Sequence, residues 1–269
     1  MATQFLKHQN GILAYDDVGS GPLVICVPSM GDVRGEYRFL APQLVAAGYR
    51  AIILDVRGHG ESSTDWSDFS VAAIGSDILA LIRHLNAGPA FVIGTSMAAG
   101  AAVWAAAEAP GLIRGLILID PFVRGGGDVA SRLMYGALFA RPWGPSMWLK
   151  YFATLYPSRK PADFAEYSAA LKANLKAPGR MEALHHMLNA SKLASEPRLP
   201  RVTAPVKVLM GSTDHDFKNP EAEAKLVANS LRGAYTMIEN AGHYPHAEMP
   251  DITGPIILSA LKAFHENQN

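Results

Sequence analysis

Three side chains with complementary chemistry sit at comparable places along the 269-residue sequence: Ser96, Asp214 and His243, each following a short apolar run. Ser96 follows "AFVI" inside Gly94-Thr95-Ser96-Met97-Ala98. Asp214 follows "VKVLM" in "LMGSTDHDF", and His243 lies in "YTMIENAGHYPHAEMP". A serine hydroxyl becomes a useful nucleophile when an imidazole takes its proton and a third group orients that imidazole. The chain offers all three in the order Ser, Asp, His, which one hydrolase architecture displays. Ser96 has a second use open to it. A small-x-Ser-x-small corner before an alanine-rich helix also suits an N-cap, whose hydroxyl accepts a backbone N–H of the first turn.

Other reactive residues compete for these roles. Asp216, two residues beyond Asp214, is an alternative acid, and Asp120, after "LILI", is another; the plainer reading of Asp120 is a strand-end carboxylate bonding local backbone before Pro121. His246 reads as a loop or helix-start residue and His59, in "RGHGES", as a side chain holding its own loop. His185 and His186 are adjacent, and neighbours on a helix point about 100° apart, so they do not share an ion. No metal site is expected. Gly125-Gly126-Gly127 lacks the Gly-Lys-Ser/Thr of a phosphate loop and is read as a hinge.

The elements that must position the three candidates follow from periodicity. "PLVICVP", "YRAIILDV", "AFVIG", "GLILID" and "VKVLMG" are near-continuous apolar runs bounded by Gly, Pro or Asp, which imply strands buried on both faces of a parallel sheet. Segments such as Val71 to Gly88 carry helical spacing between them and end on Gly. "QFLKH" and "GILAYDD" are joined by Asn10-Gly11, a hairpin signal. Ligands of such sheets bind beyond the carboxyl ends of the strands, where all three candidates fall. The rhythm breaks between Arg124 and Arg201. That stretch lacks a convincing strand but is rich in Met, Trp, Tyr and Phe, from Met134 to Tyr156, and is punctuated by proline. The expectation is a core of residues 1–123 and 202–269 with a helical cap of residues 124–201.

Composition bounds the partners. Hydrophobic residues are 49% of the chain, charged residues 18%, and the formal net charge is zero. A sizeable core follows, and nothing in the charge favours nucleic acid or an anionic membrane. One cysteine, Cys26 in an apolar run, permits no intrachain disulfide and reads as a buried thiol. The opening "MATQFLKHQNG" is too polar for a signal peptide and no run is long enough to span a bilayer, so a cytoplasmic location is expected. A homodimer is compatible with this composition.

Taken together, "GTSMA", "LDVRGHGESS" and "NAGHYPHAEMP" make the chain resemble the α/β-hydrolase-fold superfamily over essentially its full length. The resemblance implies a mainly parallel sheet of about eight strands flanked by helices, with an inserted cap. It further implies Ser96 as nucleophile, His243 as base and Asp214, in the Gly-x-x-Asp position counted from Gly211, as acid. The oxyanion hole would be the backbone N–H groups of Met97 and Met30. Two departures stand out: Pro28-Ser29 replaces the usual His-Gly, and Ala98 the usual Gly. The pocket would be lined by Ser29, Phe122, Trp143, Met147, Trp148 and Tyr244. The resulting expectation is a cofactor-free serine hydrolase of small to medium apolar esters. The same triad also serves C–C bond hydrolases and perhydrolases, and a small-molecule receptor with a retained triad is the alternative outside enzymes. Asp at the elbow marks dehalogenases and epoxide hydrolases, and this chain has Ser96 there.

Overall fold

The computed structural model describes residues 2–125, 135–140, 142–190 and 193–267. Gly126, Gly127 and Met134 lie outside the described residues. Eight strands form one sheet: β1 (Gln4–His8), β2 (Gly11–Val18), β3 (Leu23–Val27), β4 (Arg50–Leu54), β5 (Ala90–Thr95), β6 (Ile113–Ile119), β7 (Val206–Gly211) and β8 (Ala234–Ile238). Their order is β1-β2-β4-β3-β5-β6-β7-β8, antiparallel from β1 to β4 and parallel thereafter. The chain reverses direction of travel across the sheet at β3, which places the ends of β3 and β5 side by side. Such a switch point leaves a crevice at the carboxyl edge.

Both faces of the parallel strands are buried, as their continuous apolar runs require. Leu23, Ile25 and Val27 of β3 face a cluster with α2 (Val71–Leu85), α3 (Met97–Glu108) and α7 (Pro220–Ser230). Val24 and Cys26 face the opposite cluster with α1 (Leu40–Ala46) and α9 (Pro250–Glu266). The Cys26 thiol is wholly buried there, and that burial pushes its pKa up, so it stays a protonated core residue.

Two local expectations shift. His8 pairs with Gly11, so the hairpin turns at Gln9-Asn10, with Gln9 at φ 51°, rather than at Asn10-Gly11. Gly11 serves packing instead, since a Cβ there would lie 2.3 Å from the Trp66 ring. Helix α2 begins at Ser70, whose hydroxyl accepts the Ala73 N–H, and stops at a left-handed Asn86 before Gly88 is reached.

Between Arg124 and Arg201 the described residues form helices and no strand: α4 (Gly144–Thr154), α5 (Phe164–Lys176), α6 (Arg180–Asn189) and a terminal 3-10 turn. Their apolar sides make a third cluster, including Trp148, Phe152, Tyr156, Leu171 and Leu184, which also takes in Tyr244 after β8 and Ala247 from the short helical turn Pro245–Glu248. Arg38 clamps Asp163 through two bonds of 2.6 and 2.8 Å, tying the start of α5 to the core.

Candidate active site

Ser96 ends β5 and starts α3 in a corner few side chains tolerate: φ 58°, ψ −121°. Backbone held in that region stores strain and persists only when its surroundings fix it. They do. The Ser96 N–H donates to Ile119 C=O at 2.8 Å, and its own C=O accepts from Ala99 and Phe122. Gly94 is required because a Cβ there would lie 2.6 Å from the Ala98 carbonyl oxygen, the close helix–strand approach that makes the corner sharp. Ala98 fits without difficulty. The Ser96 side chain makes no capping hydrogen bond to α3, so the cap use of this serine is absent from the fold.

Asp214 and His243 stand in the loops after β7 and β8. The His243 Nδ1–H donates to Asp214 Oδ2 at 2.6 Å, and both residues are buried. That bond fixes the ring so that Nε2 is the nitrogen left for other chemistry. The His243 N–H donates to Leu155 C=O just beyond α4, and its ring lies 5.9 Å from that of Phe122. Because the Phe122 N–H is bonded to Ser96 C=O, one residue braces the serine corner and flanks the imidazole. Burial alone would depress the His243 pKa, but the adjacent Asp214 carboxylate outweighs it and raises the imidazole to about 9. Burial likewise works to raise Asp214, and the facing His243 charge with its hydrogen bonds holds the carboxyl below its ordinary range.

The two rival acids occupy different positions. Asp216 Oδ2 accepts the Tyr151 hydroxyl of α4 at 2.6 Å and lies 3.9 Å from His243 Nδ1, too far for a bond. Its N–H supports Asp214 Oδ1 at 3.0 Å. Asp120, at φ 42° after β6, is fully buried behind Asp214 and accepts the Gly211 N–H at 2.9 Å. Asp120, Asp214 and His243 each bring one ligand-type atom within 4.8 Å of the others. These residues do not fit a cation. A metal about 2.1 Å from both nitrogen and oxygen would hold them apart, whereas 2.6 Å is the length of a shared proton.

The loop after β3 is held on both sides of Met30. The Ser29 N–H donates to Glu36 Oε2 at 2.7 Å, and Glu36 Oε1 accepts from His246 Nε2 at 3.1 Å. The Gly31 N–H donates to His59 Nε2 at 3.2 Å, and its C=O accepts the Trp148 indole at 3.0 Å. Burial pushes His59 down to about 4, which keeps Nε2 an unprotonated acceptor at neutral pH. The Met30 and Met97 N–H groups make no hydrogen bond among the described residues. Ser29 fits where a glycine was expected because its backbone is not left-handed, and its hydroxyl meets the Tyr244 hydroxyl at 2.5 Å. Sequence reasoning missed Glu36, seven residues beyond Ser29, and the reach of His59 into this loop from 28 residues beyond Gly31.

The remaining lining candidates divide. Phe122 stacks on Phe217 at 4.6 Å beside His243, while Trp148 and Tyr244 are buried against the loops that carry Met30 and His243. Met147 packs at the edge of the third apolar cluster. Trp143 is 53% exposed, its indole N–H bonded to Ala137 C=O, and is not brought to the site. A cavity of about 830 Å³ lies beside Val33, Arg38, Asp55 and Tyr167, and none of Ser96, Asp214 or His243 lines it.

A match to the Alpha/beta hydrolase family covers residues 24–253. The chain belongs to that family. Mouse (Mus musculus) monoglyceride lipase is 28% identical over 251 residues, 87% of this chain and 79% of the lipase. The 2-(acetamidomethylene)succinate hydrolase of Mesorhizobium japonicum is 26% identical over 261 residues, 91% of this chain and 90% of that one. Among solved structures, a thermophilic esterase from Thermogutta terrifontis superposes with a TM-score of 0.83 at 23% identity, covering 98% of this chain and 100% of the esterase. The protein is therefore an α/β-hydrolase enzyme with the eight-stranded sheet of that fold. Among the described residues no helix is long and apolar enough to cross a membrane.

Proposed function

We propose that this α/β hydrolase is a serine hydrolase cleaving small to medium, mainly apolar carboxylic esters through an acyl-enzyme on Ser96. The observation that carries the reading is the 2.6 Å Asp214–His243 couple, linked through Phe122 to an uncapped serine held in a strained corner. His243 Nε2 takes the proton from Ser96 Oγ as the oxygen attacks the ester carbonyl. The oxyanion receives the Met30 and Met97 N–H groups, each worth about 3 kcal/mol to the transition state. His243 then protonates the departing alcohol, and water activated by the same ring releases the acid. No cofactor is required by these steps.

The apolar preference rests on the insertion. Residues 124–201 are proposed to act as the cap; the buried Trp148, Phe152 and Tyr156 pack with Tyr244 next to His243, and Phe122 and Phe217 stack near the same imidazole. The similarity to a monoglyceride lipase and to an esterase agrees with ester chemistry. A cytoplasmic setting agrees with the lone buried Cys26.

A p-nitrophenyl ester series of increasing acyl length tests the proposal. Many turnovers per protein molecule, with kcat/KM rising from acetate to a medium chain, are expected. A single turnover followed by ligand-dependent melting would favour the receptor alternative, and selective hydrolysis of a β-diketone would favour C–C bond cleavage.

A further inference from the structure

Three buried residues, Asp120, Asp214 and His243, cluster together, and only two of them have a role in the proposed steps. Asp120 is the third. Its Oδ1 accepts the Gly211 N–H, while its Oδ2 is buried and meets no donor. One of its oxygens lies within 4.8 Å of both an Asp214 oxygen and a His243 nitrogen. An ionised Asp120 would place a bare carboxylate oxygen, without solvent, against a second carboxylate. That arrangement is costly because burial removes both charges from bulk solvent while like charges repel.

A single proton removes the difficulty. We propose that Asp120 is a positioning residue that remains a neutral carboxylic acid and donates an O–H hydrogen bond to Asp214, leaving Asp214 the anion bonded to His243. The donated hydrogen bond fills the Asp214 coordination that the Asp216 N–H and His243 leave open. It also draws charge from the anion, limiting how tightly Asp214 holds an imidazolium. The groups facing Asp120 are Asp214, Asp216, His243 and the Gly211 amide. Burial, and next the Asp214 charge, hold the Asp120 carboxyl well above the ordinary carboxylate range, in keeping with this proton. The strained φ of 42° places the carboxyl there and is a conformation that Asn also adopts.

This inference deepens the serine-hydrolase reading and rests on it for its purpose, but its test reads the resting protein and needs no turnover. His243 is titrated by NMR in wild type, Asp120→Asn and Asp120→Leu, and infrared difference spectra of wild type and Asp120→Asn are recorded at neutral pH. Asn supplies an N–H donor in place of the O–H, so the His243 pKa should stay within about half a pH unit of wild type. Leu supplies none, so the imidazolium should be held more tightly and the pKa should rise by about one pH unit. The wild-type spectrum should contain a carboxylic-acid C=O band that Asp120→Asn lacks. A fall of about one pH unit in Asp120→Asn, or no acid band, would mean that Asp120 is ionised and overturn the proposal. An unmoved pKa in a folded Asp120→Leu protein would reduce Asp120 to a backbone brace and overturn it equally. Should Asp120→Leu not fold, the infrared band and the Asn titration decide. Loss of the ester activity reading alone would leave these spectra unchanged, so the two failures are distinguishable.

Discussion

At the scale of the residue, spacing named Ser96, Asp214 and His243 but could not say which carboxylate the imidazole bonds. Asp214, Asp216 and Asp120 all follow strands that end near one another, and the choice depends on about an ångström of separation. The fold puts Asp214 at 2.6 Å and Asp216 at 3.9 Å from His243 Nδ1. Asp214→Asn should therefore lower kcat by about 10⁴ with little effect on folding, because the ring loses the bond that fixes its tautomer. Asp216→Asn should cost far less in a steady-state assay, and an equal loss would reverse the assignment. The raised His243 pKa sets the pH dependence. The free enzyme holds a neutral base only above about pH 9, so kcat/KM should climb tenfold per pH unit below that point. Stability runs the other way. A group raised from 6.5 to about 9 stabilises the fold fully below about pH 6.5 and loses that contribution as pH rises to 9. Thermal melts from pH 6 to 9 should show a fall in Tm that Asp214→Asn flattens.

At the scale of the element, the apolar runs were legible because burial on both faces leaves an unbroken pattern, whereas turns depend on one residue's conformation. The one-residue shift of the β1–β2 turn is of that kind: Gly11 is dictated by Trp66, a partner 55 positions away. The Met30 loop was legible only as a place. What holds it is Glu36, seven residues on, from one side, and His59 with the sequence-distant Trp148 from the other. His59→Leu should free the buried Gly31 N–H, cost about 1–3 kcal/mol of stability, and lower kcat more than it raises KM. Chemical denaturation with ester kinetics on the same preparation checks both. At the corner itself, Gly94→Ala should push α3 off its strand and destabilise the fold by about 1–3 kcal/mol, read in the same denaturation experiment. A neutral result there would show that the corner is looser than its 2.6 Å approach implies.

At the scale of the whole molecule, one sheet brings residues from positions 96, 120, 214 and 243 to a common edge, and helices between 124 and 201 pack on the loops that carry them. The alternation of apolar runs and helical stretches made this architecture readable, because a parallel sheet forces crossovers of that length. The insertion was readable only as helical and aromatic. Which of its side chains turn inward is decided by packing, so Trp148 is buried while Trp143 stands 53% exposed. Trp148 and Tyr151 bond the core at Gly31 and Asp216, so the placement of α4 and the geometry of these two loops are coupled. The central claim is that this assembly makes Ser96 the nucleophile. Reaction with a fluorophosphonate, followed by peptide mapping in a mass spectrometer, tests it most directly. The account predicts a single adduct on Ser96 and none in Ser96→Ala; an adduct on another residue, or equal labelling of the Ser96→Ala protein, would contradict it.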